Sequence, residues 1–115
     1  MADSTWVRIC DLGTLPEGEA RGFDPLNSGH DTLFIVRRDR QLYAWRDDCP
    51  HQPGAHLPWK KNAYLNATRD RIVCSAHGAM FAIDSGACLL GPCLGQFLQP
   101  IRLRLSDDDT IEALV

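Results

Sequence analysis

A chain of 115 residues, 44% hydrophobic and 23% charged with a net charge of −3, has the size and composition of a single globular domain. It is long enough to bury roughly two-thirds of the surface its unfolded form exposes, so a core needs no staple. The mild acidity speaks against nucleic acid as a partner, because holding phosphates takes clustered Lys and Arg. The longest aliphatic and aromatic run, Leu33-Phe34-Ile35-Val36, is too short to cross a bilayer. The opening MADSTWVRIC has neither the basic nor the apolar region of a secretory signal, so a cytoplasmic location is expected.

In chain order, residues 5–12 (TWVRICDL) favour a strand, and GEARGFDP after it is turn-rich with at most a short strand. Residues 32–48 read as a hairpin, two β-rich runs flanking the polar RRDRQ. Over 58–66 the pattern allows no more than a short turn. Residues 70–84 carry two short β-type runs, Ile72-Val73 and Met80-Phe81-Ala82, interrupted by CSAHG. In the tail, Ile101, Leu103 and Leu105 alternate with arginines; after Asp107-Asp108-Asp109, Ile111, Ala113 and Val115 alternate again. That period of two predicts a hairpin with one wet face. Many short strands with Gly, Pro and Asp turns, and no sustained helical period, predict an all-β fold, a small antiparallel sandwich or barrel.

Two loops break this pattern, and each joins a cysteine to a histidine. The first, CPHQPGAH, gives Cys49-x-His51; the second, CSAHG, gives Cys74-x-x-His77. Five cysteines cannot all pair within one chain, and without a secretory signal they read as buried thiols or metal ligands. Two thiolates with two imidazoles suit zinc or an iron–sulfur cluster. Structural zinc sites more often space their ligands C-x₂₋₄-C and H-x₃₋₅-H, which disfavours zinc. Gly54 and Gly78, following the histidines, let backbone approach sulfur, and Pro50 and Pro53 stiffen the first loop.

The combination CPHQPG…CSAHGAMFAIDSG…GP resembles the Rieske domain, with Gly78, Phe81, Gly86 and the Gly91-Pro92 loop at matching positions. The resemblance covers at least residues 33–105. It implies one [2Fe–2S] cluster per chain, with Cys49 and Cys74 on one iron and His51 and His77 on the outer, near-surface one. A single domain over 1–115 is then expected, its cluster-binding part at about 47–93. The gap between the two motifs is longer than usual in the family, the excess lying at about 57–70.

Three departures sort the kinds of Rieske protein. The chain shows no N-terminal membrane anchor. Gly54 and Ala76 stand where the cytochrome-complex subunits carry two further cysteines joined in a disulfide. Ala79 and Phe81 stand where those subunits place a serine and a tyrosine hydroxyl against sulfur. Without those two donors the reduced cluster is less stabilised, so a potential near the low end for such centres, about −150 mV, is expected. No mononuclear iron domain of the oxygenase type is expected after the β-domain. The resemblance thus implies a free-standing ferredoxin, expected to be a monomer without catalytic residues. It would carry single electrons from a flavin-dependent reductase to a terminal oxygenase through contacts near His51 and His77. The alternative is an accessory small subunit of a larger reductase, such as nitrite reductase.

Other residues have plainer readings. His56 is expected to be a polar loop residue near the cluster, and His30 a solvated turn histidine. Cys10 reads as a buried strand thiol. Cys88 and Cys93 flank the Gly91-Pro92 loop, where small-residue packing outweighs a redox role. Trp59, Lys60 and Lys61 are either a docking patch or an aromatic pinning its own loop beside solvated lysines. Asp107–Asp109 is a solvated turn.

Overall fold

A computed structural model of the chain describes residues 5–50, 56–58, 60–75 and 78–115. Nine strands follow one another: β1 (Trp6–Asp11), β2 (Ala20–Phe23), β3 (Leu33–Arg38), β4 (Gln41–Arg46), β5 (Arg71–Cys74), β6 (Ala79–Ala82), β7 (Cys88–Leu90), β8 (Leu103–Leu105) and β9 (Thr110–Leu114). They form three antiparallel three-stranded sheets, ordered β1-β9-β8, β2-β3-β4 and β5-β6-β7. The all-β expectation holds. Among the described residues the sole helical piece is a 3-10 turn, Leu12–Thr14.

The predicted hairpin at 32–48 is β3–β4, paired from Leu33↔Arg46 to Arg38↔Gln41. Asp39 and Arg40 close it with φ of 54° and 63°. Both values lie in the left-handed region that a two-residue turn needs if it is to follow the twist of its strands. The tail hairpin also forms, with Leu103↔Ala113 and Leu105↔Ile111 in register. What periodicity did not reveal is that β9 is the central strand. It pairs with β1 on its other side, joining the two ends of the chain.

Strand β3 explains the uninterrupted run LFIV. Phe34 and Val36 enter one hydrophobic cluster, with Trp45, Tyr64, Ile72, Phe81 and both Cys49 and Cys74. Leu33 and Ile35 enter a second, with Leu15, Ala44, Ile111 and Ala113. A strand covered on both faces loses the alternation of a half-wet one, because each parity of its side chains meets a core. Along β4 the same parity sends Ala44 to the second cluster and Trp45 to the first.

Trp45 ties the β2-β3-β4 sheet to the β5-β6-β7 sheet. Its indole N–H donates to the Ile83 carbonyl at 3.2 Å. Its ring lies so close to Gly86 that a Cβ there would sit 2.7 Å from Cζ3. With φ of +72°, Gly86 is required twice over, by backbone and by space.

Candidate metal centre

The candidate ligands are delivered by strand parity. Ile72 and Cys74 share one face of β5, the face turned to the core, so Cys74 ends its strand fully buried. Cys49 follows β4 by three residues and is fully buried as well. Both thiols belong to the same cluster of apolar side chains.

The segments around them are tied together at the backbone. The Ser75 N–H, one residue past Cys74, donates to the Leu57 carbonyl at 2.8 Å. The Gly78 N–H donates back to the Cys74 carbonyl at 2.8 Å, and Gly78 has φ of +67°. Leu57, eight residues past Cys49, is therefore adjacent to Ser75, the residue after Cys74. His51, Gly54, Trp59, Ala76 and His77 lie outside the described residues.

A third segment covers this place. Gly91 approaches β6 so closely that a Cβ would be 2.8 Å from the Ala79 Cα, and its φ is +108°. Ala79 is in turn the register partner of Cys74. The Gly91-Pro92 stretch thus packs onto the strand end opposite the second candidate cysteine. Beyond it Cys93 is buried, and its thiol donates to the Cys88 sulfur at 2.8 Å. Burial first, then the Cys88 sulfur and the charge of Cys49, push the Cys93 thiol up to about 12. Leu89, Leu90, Leu94 and Phe97, all on this same segment, are 45–65% exposed.

Sequence reasoning missed a buried polar pair beside the first loop. Asp47 is buried; its carboxylate accepts from the Leu57 N–H at 2.8 Å and from the Tyr64 hydroxyl at 2.9 Å. Burial raises the Asp47 pKa above the ordinary carboxylate value, and the two donors oppose that shift. Burial, and then the Asp47 charge, push the Tyr64 hydroxyl upward too. His56 is exposed, with Nδ1 3.7 Å from Asp47 and its ring 4.9 Å from that of His30. The two surface histidines read separately from sequence are in fact neighbours.

The longer gap proves structural rather than spare. Leu57 and Tyr64 within it are fully buried, Tyr64 stacking on Phe34 with centroids 4.1 Å apart. Lys61 donates to Asp31 at 2.7 Å and to the Gly22 carbonyl at 3.1 Å. Lys61 therefore holds the loop to β2 and is no freely solvated lysine. Cys10 is only half-buried, a correction to the buried strand thiol expected there. It sits on β1, at the edge of its sheet, where one side stays open.

The donor set fits a Rieske centre as far as it is described: two soft thiols, buried in one apolar cluster, at the heads of two adjoining loops. A family model described as the Rieske [2Fe-2S] domain matches residues 5–105. Such a domain carries one [2Fe–2S] cluster. The fold resembles a chain in the complex of reduced oxygenase and oxidised ferredoxin in carbazole 1,9a-dioxygenase. That match has a TM-score of 0.73 and 22% identity, covering 97% of this chain and 94% of that one. It also resembles the ferredoxin of carbazole 1,9a-dioxygenase from Nocardioides aromaticivorans IC177, with a TM-score of 0.70, 24% identity, and 97% and 98% of the two chains covered. A protein from Mycobacterium tuberculosis, provisionally assigned as an NADH-dependent nitrite reductase small subunit, matches with a TM-score of 0.69 and 18% identity. There the coverage is 99% and 97%.

Proposed function

The chain belongs to the Rieske [2Fe–2S] domain family, and we propose that it is the ferredoxin of an oxygenase system, accepting electrons from a flavin-dependent reductase and delivering them to a terminal oxygenase. The observation that carries this reading is the pair of fully buried thiols, Cys49 and Cys74, heading two loops whose backbones are bonded to one another. Cys49 and Cys74 hold one iron, and His51 and His77 the other. When bound, the cluster supplies a centre that takes up and returns a single electron.

The protein's own contribution is to position and to shield. Strand parity fixes the Cys74 thiol, the Ser75–Leu57 bond fixes one loop against the other, and the Gly91-Pro92 stretch keeps water from Ala79. In this reading the chain is one domain, with the cluster-binding part at about 47–93. We assign the oxygenase contact to the neighbourhood of His51 and His77; Leu90 and Leu94, exposed on either side of the Gly91-Pro92 stretch, add apolar surface on the segment packed against Ala79. Small, short-lived interfaces suit a carrier that must leave after each electron.

A second reading has support in the shared fold of the M. tuberculosis protein: an accessory small subunit of a larger reductase. Rapid mixing separates the two. The reduced holoprotein, mixed with an oxygenase of the carbazole type, is expected to lose its electron within the turnover time of that enzyme. Failure to be oxidised by any such oxygenase, together with stable co-purification with a large reductase, would favour the accessory subunit.

A further inference from the structure

The Cys88–Cys93 pair stands outside the candidate ligand set. Cys88 opens β7, and the chain turns through Gly91 and Gly95 before coming back alongside. The return is locked by two backbone bonds: Cys88 N–H to the Gln96 carbonyl and Gln96 N–H to the Cys93 carbonyl, each 2.9 Å. Those bonds set the two side chains face to face. The sulfurs are 2.8 Å apart, and both residues are buried, 7% and 1% exposed. A disulfide bond is about 2.05 Å long, so closure asks for less than about 1 Å of approach. Cys49 and Cys74 share the same buried cluster but head the candidate ligand loops, and Cys10 lies on a different sheet.

We propose that Cys88 and Cys93 are a redox-active dithiol whose intramolecular disulfide locks the segment covering Ala79. The inference stands on the geometry of this loop and does not depend on which partner the protein serves.

The electron count names the oxidant. Joining two thiols removes two electrons, whereas a [2Fe–2S] centre of this family exchanges one, so the oxidant is a small disulfide such as oxidised glutathione. Cys88 is the more exposed of the two and reacts first. Its thiolate attacks one glutathione sulfur, forming a mixed disulfide and releasing one glutathione thiolate. Cys93 then gives up its proton to the departing glutathione as its sulfur displaces the second. Net, two protein thiols and one glutathione disulfide become one protein disulfide and two glutathione thiols. The ring so closed contains Gly91 and Pro92, the stretch that lies against Ala79. Its backbone conformation is thereby held covalently as well as by the two bonds to Gln96.

The test uses the intact holoprotein, held anaerobically in buffers of increasing oxidised-to-reduced glutathione ratio. Samples are quenched in acid and alkylated with N-ethylmaleimide. Mass spectrometry then reads the chymotryptic peptides bearing residues 88 and 93. The expected result is concerted loss of both alkylations and of two hydrogens as the buffer becomes oxidising, reversed by dithiothreitol, with the visible absorption of the cluster retained. In Cys88→Ser, Cys93 is expected to remain alkylated or to carry glutathione. Should that variant not fold, the wild-type titration decides alone. Full alkylation of both cysteines at the most oxidising ratio would overturn the proposal. So would a glutathione adduct on wild-type Cys88 that never closes, or a disulfide from either residue to Cys49 or Cys74.

Discussion

The Tyr64 hydroxyl donates to a buried carboxylate, that of Asp47, at 2.9 Å, while its ring stacks on Phe34. One residue thus joins the longer loop both to the core and to the stem of the first cysteine loop. Tyr64→Phe keeps the stacking and removes only the donor. A hydrogen bond to a charged, buried acceptor is worth about 1.5–3 kcal/mol, so a loss of that size is expected in urea unfolding of the holoprotein. A loss below about 0.5 kcal/mol would show that water replaces the hydroxyl.

Gly86 and Gly18 both have positive φ, 72° and 81°, but only Gly86 faces an aromatic ring. Gly18→Ala costs backbone strain alone, about 1 kcal/mol. Gly86→Ala adds a clash with Trp45 and is expected to cost about 1–3 kcal/mol more. Comparing the two midpoints of denaturation isolates the steric part.

Ala79 and Phe81 are fully buried on β6, Ala79 in register with Cys74. Neither carries a side-chain donor. The wild-type midpoint potential is expected near about −150 mV, and Ala79→Ser or Phe81→Tyr is expected to raise it. One added hydrogen bond of about 0.5–1.5 kcal/mol, favouring the reduced state, corresponds to roughly 20–65 mV for a one-electron couple. Protein-film voltammetry reads both numbers; a wild-type midpoint above about zero would contradict the role given to these positions.

Asp24 accepts from the Ser28 N–H and hydroxyl and from the Gly29 N–H, each at 2.8 Å. Those bonds hold its pKa below the ordinary value of 3.8. A lowered folded-state pKa gives stability that is present above the unfolded value and lost as pH falls through the folded one. Asp24→Asn is therefore expected to melt below wild type at neutral pH, the gap closing as the pH drops under 3.8. Melting curves from neutral pH to the acid limb check this; a gap that persists in strong acid would mean the carboxylate charge is not involved.

Much of the fold could be read from local pattern, and the misses have physical causes. Period-two alternation located the tail hairpin, yet Leu105 stays 48% exposed because β8 is a sheet edge with a free side. The role of β9 as central strand depends on a partner a hundred residues away, which no local period encodes. Strand β7 is three residues long, too short to show a period at all. At the site, Cys49 and Cys74 could be singled out because each is followed within three residues by a histidine, while their burial in one cluster came only with the fold. Asp47 was not: in the run RDD it looks like surface, and only the fold brings Tyr64 and the Leu57 N–H to it. Cys88 and Cys93 were visible as residues, but their sulfur contact depends on the turn between them.

The central claim is a cluster held by two thiolates and two imidazoles, and pulsed EPR of the dithionite-reduced protein addresses it most directly. Two strongly coupled nitrogens are predicted, from His51 and His77, with one coupling lost in either single cysteine replacement of those histidines. An iron-free protein, or a reduced cluster with no strongly coupled nitrogen, would contradict the account.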